Sequence, residues 1–273
     1  MTADPAQMLL DGRVPAQAVI EELLARQSFV RPRTWIQRVF GVSPIGPDSW
    51  PWYKGALGEI AVGRILEGLG PEWLVLHAIP VGKGDTDIDH LLVGPAGVFT
   101  LNTKNHSGQS VWVAGRTLMV AGKKTRHLYN AAYEAARASK LLSAAVGSAV
   151  NVTGMVVVVD PKGMTIRSQP DQVVVLREVQ LLGWLKRCRR VLGPAEVGQI
   201  AAAATLARTW HRNPVAPGNG DTLQVHFNAL RLLVEQARRR RAAWVLGVPA
   251  AGFLMLANGA QTLAAIALSL SGR

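Results

Sequence analysis

The chain has 273 residues, a length that suits one substantial core with appendages. Lys and Arg number 30 against 18 Asp and Glu, giving a formal net charge of +12, which favours anionic partners such as nucleic acid or an anionic lipid surface. The single cysteine, Cys188, excludes an internal disulfide and cannot by itself form a thiolate zinc site, so we expect a reducing compartment.

Residues 1–53 are predicted to form helices followed by a linker. Apolar side chains recur at helical spacing over 15–27, and RTWIQRVF is predicted to form a second short amphipathic helix. Charged residues interrupt the first positions, so we expect no secretory signal peptide. Pro, Gly and aromatic residues crowd GVSPIGPDSWPWYK, which predicts a linker that ends near Lys54.

A mixed α/β core is predicted for residues 54–160, with a central sheet flanked by helices. The periodicities indicate a helix at 55–69, strands near 73–79, 86–94, 97–104 and 110–120, a long helix at about 126–147, and a strand at 153–159. This order of elements is a mixed α/β one.

The core is predicted to continue through residues 161–212, which form a C-terminal α/β extension. An apolar run at 172–176 is followed there by helical patterns near 178–192 and 194–211. A Pro/Gly/Asn break at 213–221 then opens a basic linker or helix, which extends over 213–241.

The C-terminal segment is predicted to be a transmembrane anchor at 242–271. Positions 242–272 contain no Asp, Glu, Lys or Arg, and about 20 apolar helical residues suffice to cross a bilayer. Four arginines, 238–241, precede this segment and only Arg273 follows it, so we expect a single-pass protein of the cell membrane with its main domain in the cytoplasm. The same arginine run is expected to meet anionic lipid, and a short re-entrant hairpin remains an alternative.

Chemistry is concentrated in the segment DIDHLLVGPAGVFTLNTKNHSG. Pro95 and Gly97 occupy the second and fourth positions of a predicted type I turn, so two strands should run antiparallel. Side chains alternate along a strand, which places Asp87 and Asp89 on one face of the first strand and Asn102 and Lys104 on one face of the second. An acid and a lysine that meet in this way suit phosphodiester hydrolysis assisted by Mg²⁺.

These residues resemble the nuclease-related domain family, NERD, a branch of the PD-(D/E)xK nuclease-like fold. The resemblance implies that the mixed central sheet forms a restriction-endonuclease-like core. The resemblance rests on KGALGE at 54–59, on DIDHLLVGPAGVFTLNTKNHSG at 87–108 and on the helix that starts at Tyr129 and Asn130. It implies that Glu59 is the acid of the first helix, Asp89 the metal-binding acid and Lys104 the catalytic lysine, with Mg²⁺ as cofactor and nucleic acid as substrate.

Asn102 departs from the family pattern, which has Glu or Asp at this position. An amide offers one oxygen to a metal but no negative charge, so we expect weakened metal binding. The long helix also departs, because Ala131 and Glu134 stand where Pro and Gln are frequent. Glu134, with Asn130 as a second accessory residue, is a candidate to compensate for the missing acid.

Other polar residues favour structural roles. His90 and His106 are interpreted as hydrogen-bonded residues rather than metal ligands. The basic group at 123–127 is interpreted as a solvated loop with a possible phosphate contact. The basic residues around Cys188 are expected to lower its pKa, without a catalytic role.

The leading hypothesis is a membrane-anchored, metal-dependent nuclease with a weakened site. One alternative is a catalytically inactive module that binds nucleic acid or a protein at the membrane, and cleavage assays would distinguish the two. A second alternative is a scaffold in which the arginine run binds lipid and nucleic acid is irrelevant. The sequence leaves open the oligomeric state and the choice between DNA and RNA.

Overall fold

Residues 8–82, 87–211 and 219–271 are described by the structure, a computed structural model, and most positions from 250 onward are described by their backbone alone. The chain divides into two units, one of residues 1–25 and 50–224 and the other of residues 26–49 and 225–273. The first unit contains both sheets, so the expected α/β class with a mixed central sheet is confirmed.

Five strands form the central sheet of the first unit. In spatial order they are β1 (Leu74–Pro80), β2 (Asp87–Gly94), β3 (Gly97–Asn105), β7 (Val152–Val159) and β9 (Val173–Arg177). The first three strands pair antiparallel, whereas β3, β7 and β9 run parallel. Strands covered on both faces become continuous apolar runs, as the VVVV segment of β7 shows.

A second sheet of four short strands was only partly predicted. Its members, in spatial order, are β6 (Lys123–Lys124), β5 (Thr117–Val120), β4 (Ser110–Ala114) and β8 (Gly163–Ser168). The single strand expected at 110–120 is wrong, because the chain turns at Gly115, whose φ of 51° suits glycine. The strand β8 escaped prediction because it is largely exposed and polar.

Helices cover both faces of the central sheet. They are α3 (Trp50–Leu66), α4 (His127–Val146), α5 (Glu178–Arg187), α6 (Pro194–Thr205) and α7 (Ala207–Trp210). Leu92 and Phe99 pack with α3 and α5, whereas Leu91 and Val93 pack with α4, α6 and α7. Because side chains alternate along β2, they contribute to two separate hydrophobic cores on opposite faces of the sheet.

The helix α3 begins earlier than the sequence indicates, at Trp50 rather than residue 55. Pro51 lies in the first turn of the helix, where a backbone N–H would have no carbonyl acceptor within the helix. The lack of an N–H in proline therefore costs no helical hydrogen bond. The interpretation of residues 50–54 as linker is therefore wrong. Close packing of α3 on β3 depends on Gly58, where a Cβ atom would lie 3.1 Å from the Cβ atom of Asn105.

The second unit contains α2 (Trp35–Val39), a 3₁₀ turn at Pro47–Ser49 and most of α8 (Gly220–Ser271); the helix α1 (Gln17–Gln27) straddles the boundary between the units. The predicted break at 213–221 lies mostly outside the described residues. Among the helices of the described residues, none has both the length and the apolar character that a bilayer crossing requires. The transmembrane span predicted at 242–271 thus gains no support from the described part of the chain and stays a prediction.

Candidate active site

The carboxylate of Asp89 lies where β2 and β3 stop pairing. The antiparallel register ends at His90 and Leu101, and beyond it the backbone N–H of Thr103 donates to Oδ2 of Asp89 at 2.5 Å. On its other side β3 continues in parallel register with β7 as far as Asn105. Asp89 is only 9% exposed, so this hydrogen bond holds a buried carboxylate at the end of the hairpin.

One cavity of about 820 Å³ joins the residues that the family resemblance singles out. Glu59 enters it from α3, Asp89 from β2 and Lys104 from β3. Further lining comes from Trp50, Trp52, Lys54, Thr103, His106 and Gln109. The β2–β3 hairpin and the helix α3, which precedes it in the sequence, thus bring two acids and a lysine to one opening.

The acids of this cluster interact strongly with one another. Burial, followed by the charges of Asp89 and Asp87, raises the pKa of Glu59 well above its usual range. Burial also raises the pKa of Asp89, while Lys104 and the hydrogen bonds from Thr103 lower it by less. Desolvated carboxyls that repel one another hold protons unless a cation approaches.

Asp87 joins the cluster although the sequence did not single it out as a site residue. Burial, with a contribution from Asp89, raises the pKa of Asp87 to about 7, and Arg13 and Lys104 oppose this shift. The signal was present, since Asp87 and Asp89 are two residues apart on one strand. Only the fold shows that both side chains are buried rather than solvated.

Asn102 and Glu134 are in direct contact. The amide Nδ2 of Asn102 donates to Oε1 of Glu134 at 2.6 Å, which joins β3 to α4. Burial raises the pKa of Glu134 to about 7, the hydrogen bond from Asn102 lowers it, and the charge of Asp89 raises it further. The acid on the long helix therefore lies beside the position where the family has its own acid. Asn130, one turn earlier on α4, is exposed and does not line the cavity.

Two histidine pairs form among the described residues, and the sequence indicated neither pairing. The Nδ1 atoms of His77 and His90 are 2.8 Å apart across β1 and β2. The Nε2 atoms of His106 and His127 are 3.2 Å apart, and His106 lines the cavity. Burial lowers the pKa of His127 to about 4, with smaller contributions from Lys104 and His106. These imidazoles are therefore neutral at pH 7.

Cys188 corrects a smaller expectation. Cys188 is the C-cap residue of α5. Burial raises the pKa of its thiol, and the charge of Arg187 opposes that shift only in part. The predicted lowering is wrong because desolvation exceeds the effect of the neighbouring charge.

The oxygens of the acidic cluster suit a hard divalent cation. Four buried oxygens of this cluster have no hydrogen-bond partner among the described residues: Glu59 Oε2, Asp87 Oδ2, Asn102 Oδ1 and Glu134 Oε2. Mg²⁺ prefers carboxylate and carbonyl oxygens, and it would satisfy these groups and favour their ionised forms. Within the described ranges, however, no three Asp, Glu, His or Cys side chains already converge on one metal position. The donor chemistry therefore fits Mg²⁺, with water expected in several coordination positions.

One family of known proteins matches the core of this chain. Residues 54–159 match the nuclease-related domain family, NERD, so this part of the chain is a nuclease-related domain. An uncharacterized protein of Bacillus anthracis is 42% identical over 69 residues, which cover 24% of this chain and 31% of that protein. The match thus spans about a third of that relative's length. No solved structure matches the chain.

Proposed function

We propose that the nuclease-related domain hydrolyses phosphodiester bonds in nucleic acid with the help of a divalent cation, Mg²⁺ being the best fit. The observation that carries this proposal is the convergence of Glu59, Asp89 and Lys104 on one cavity. The matched family supports a nuclease-related role.

Each residue has a distinct role in this proposal. Asp89 and the Oδ1 atom of Asn102 would hold the cation, and a bound cation would supply Lewis-acid activation of the phosphoryl group and of water. Lys104 lies close enough to lower the pKa of Asp89 and Glu59, and its ammonium group orients the attacking water or stabilises the charge that develops on phosphate. Glu59, whose pKa is raised, is suited to carry a proton during the reaction.

Glu134 contributes the negative charge that position 102 lacks. Its Oε1 atom accepts the amide hydrogen bond of Asn102, while its Oε2 atom is buried and without a hydrogen-bond partner. An approaching cation would draw this carboxyl into its ionised form. The site is therefore expected to bind metal more weakly than one with an acid on β3, yet to remain competent.

Cleavage assays test the proposal. The full chain is incubated with single- and double-stranded DNA and RNA in the presence of Mg²⁺, Mn²⁺ or a chelator. Metal-dependent cleavage is expected, with a loss of at least about 100-fold in Asp89→Asn and Lys104→Ala. Asp171→Asn, an exposed carboxylate outside the cavity, is the matched control and should cleave as the wild type does.

Glu134→Gln tests whether Glu134 compensates for the acid that is missing at position 102. Gln keeps an oxygen that accepts from Asn102 but removes the charge, so weaker metal affinity and slower cleavage are expected. If no nucleic acid is cut under any condition while the chain still binds it, a catalytically inactive binding module replaces the hydrolase. The neutral side chain of Asn102 is the observation that favours this second function.

We also propose that the chain is attached to the cell membrane, with its nuclease-related domain in the cytoplasm. The support is the sequence itself, in which 31 uncharged positions, 242–272, follow four consecutive arginines. Protease protection of a reporter fused after Arg273 tests the orientation. A reporter that stays on the cytoplasmic side would contradict a single span and favour the re-entrant hairpin.

A further inference from the structure

Positive charge is concentrated in the second unit. Residues 26–49 and 225–273 contain ten arginines and only two acids, Asp48 and Glu235. Glu235 is already paired with Arg239. Most of the net charge of +12 therefore belongs to this unit.

Arg33, Arg38 and Arg240 line one cavity of about 470 Å³ in this unit, and Arg31 lies at the same cavity. No acidic residue is among its lining residues in the described part of the chain. Burial, followed by the charges of Arg38 and Arg240, lowers the pKa of Arg33, so the three guanidinium groups are close enough to repel. Like charges held together without a counter-charge disfavour the free state, and a bound anion would relieve that repulsion.

Hydrogen bonds to the backbone hold two of these arginines in place. The Nη1 atom of Arg33 donates to the carbonyl oxygen of Val42 at 2.7 Å, and Nη1 of Arg240 donates to the carbonyl oxygen of Arg38 at 2.9 Å. A guanidinium group has five N–H donors, so each keeps further donors for a ligand. Planar, fixed donors of this kind bind phosphate well.

Exposed apolar side chains lie beside the arginines. Trp35 is 73% exposed, and it shares α2 with Ile36 and Val39, which are also exposed. The ring of Phe40 lies 4.9 Å from that of Trp244, whose Nε1 atom donates to the carbonyl oxygen of Val39 at 2.9 Å. Tryptophan next to arginine is typical of segments at a membrane–water interface.

A lipid fits this surface better than nucleic acid does. Aromatic rings could stack on bases, but the exposed aliphatic side chains of Ile36 and Val39 have no such use. In addition, the uncharged segment 242–272 begins one residue after Arg241. Apolar surface and phosphate-binding donors occur side by side, which is the arrangement at the surface of an anionic bilayer.

We propose that Arg33, Arg38 and Arg240 bind the phosphate group of an anionic phospholipid. The exposed side chains of α2 then enter the interfacial layer of the bilayer. The inference rests on the proposed membrane attachment only for the presence of a lipid surface, and it requires neither a transmembrane span nor hydrolysis.

Vesicle flotation of the full chain tests this site. The measured quantity is the ratio of affinity for phosphatidylcholine vesicles that contain phosphatidylglycerol to affinity for phosphatidylcholine alone, without divalent metal. Taking the ratio cancels any contribution to affinity from membrane insertion of residues 242–272 that does not depend on headgroup charge. In Arg33→Gln/Arg38→Gln the ratio should fall by about tenfold or more. In Arg189→Gln/Arg190→Gln, an exposed pair of equal charge in the first unit, it should fall by about twofold at most.

Further variants and alternative ligands in the same experiment identify what this site binds. Arg33→Lys/Arg38→Lys keeps the charge and should regain part of the preference, which separates a lost site from a lost fold. Asp89→Ala should keep the full preference, so failure of the nuclease proposal and failure of this one are distinguishable. Equal falls in the two glutamine variants would overturn the proposal. It would also be overturned if Arg33→Gln/Arg38→Gln lost affinity for a short single-stranded RNA, or for inorganic phosphate, while its lipid preference stayed unchanged.

Discussion

Asn102 shows how one side chain can set the charge of a site. Its amide donates to Glu134 and leaves Oδ1 without a hydrogen-bond partner, so a neutral residue holds an acid in position and still offers an oxygen. The sequence identified the substitution, because one position of a family motif is easily read. It could not show that Glu134, 32 residues away, makes the contact at 2.6 Å.

Replacing Asn102 with an isosteric acid tests this pairing. In Asn102→Asp two carboxyls face each other, so the metal-free protein should lose about 1–3 kcal/mol of unfolding free energy at pH 8. Mg²⁺ should restore it and raise the Tm of the variant more than that of the wild type. Thermal unfolding with and without Mg²⁺ measures this difference. Asn102→Leu is the control, and equal Mg²⁺ responses in all three proteins would contradict a metal role for position 102.

His77 should make stability depend on pH. Burial lowers its pKa from 6.5 to about 4, so the unfolded chain binds more protons between these values. The stabilisation is complete above pH 6.5 and is lost as the pH falls toward 4, by up to about 3 kcal/mol. Asp87 and Glu134, whose pKa values are raised, act in the opposite direction, but they are common to wild type and variant.

Urea unfolding at several pH values isolates the histidine. The difference in unfolding free energy between wild type and His77→Gln should shrink as the pH falls from 6.5 to 4, because Gln cannot ionise. His226→Gln changes an exposed imidazole and serves as the control. A difference that is constant over this range would show that His77 is not buried in its neutral form.

At the scale of elements, the helix α4 approaches β7 through a glycine. A Cβ atom at Gly154 would lie 2.6 Å from the carbonyl oxygen of Ala131, and Ala131 is one turn before Glu134 on α4. The spacing between helix and strand therefore sets the position of an acid in the site.

Gly154→Ala should push α4 away from the sheet. We expect a loss of about 1–3 kcal/mol from overpacking, together with weaker metal binding because Glu134 moves from Asn102. Gly163→Ala is the matched control, since no atom lies within 4 Å of the added Cβ position, and it should change stability by about 0.5 kcal/mol at most. Urea unfolding and Mg²⁺ titration of both variants measure the two effects. Equal stability of the two proteins would show that the contact relaxes without cost.

Prediction from the sequence succeeded where the pattern is local. The β2–β3 hairpin follows from the alternation of apolar and polar side chains and from a Pro/Gly turn. The helix α4 follows from a long segment in which apolar residues recur with a period of 3.6. The second sheet was missed because β8 is polar and pairs with β4, more than 40 residues earlier, so nothing nearby in the sequence indicates the partner. The histidine pairs were missed because their partners lie on different elements, 13 and 21 residues apart in the sequence. The burial of the Asp87 carboxyl depends on packing that the pattern of a single strand does not show.

At the scale of the whole molecule, charge should govern nucleic-acid binding. The chain carries a net charge of +12, and Lys123 and Lys124 are exposed on β6, four and three residues before His127. Phosphate contacts release counterions, so affinity should fall steeply with salt, with slight sequence preference.

Fluorescence anisotropy over a range of salt concentrations measures this dependence. Lys123→Gln/Lys124→Gln should reduce the slope of log affinity against log salt by about 2 if both lysines contact phosphate. Arg189→Gln/Arg190→Gln removes the same charge elsewhere and is the comparison. Affinity that is the same at low and high salt would rule out an electrostatic interaction.

The β2–β3 hairpin also bears on the order of folding. Asp89 and Lys104 are only 15 positions apart, and the turn between their strands can close within microseconds. The parallel pairing of β3 with β7, in which Lys104 is opposite Val158, closes a much longer loop that includes α4. Contacts of long sequence separation form slowly. The lysine and its first acid are thus expected to meet early, and the contact of Glu134 with Asn102 is expected to form in a later step.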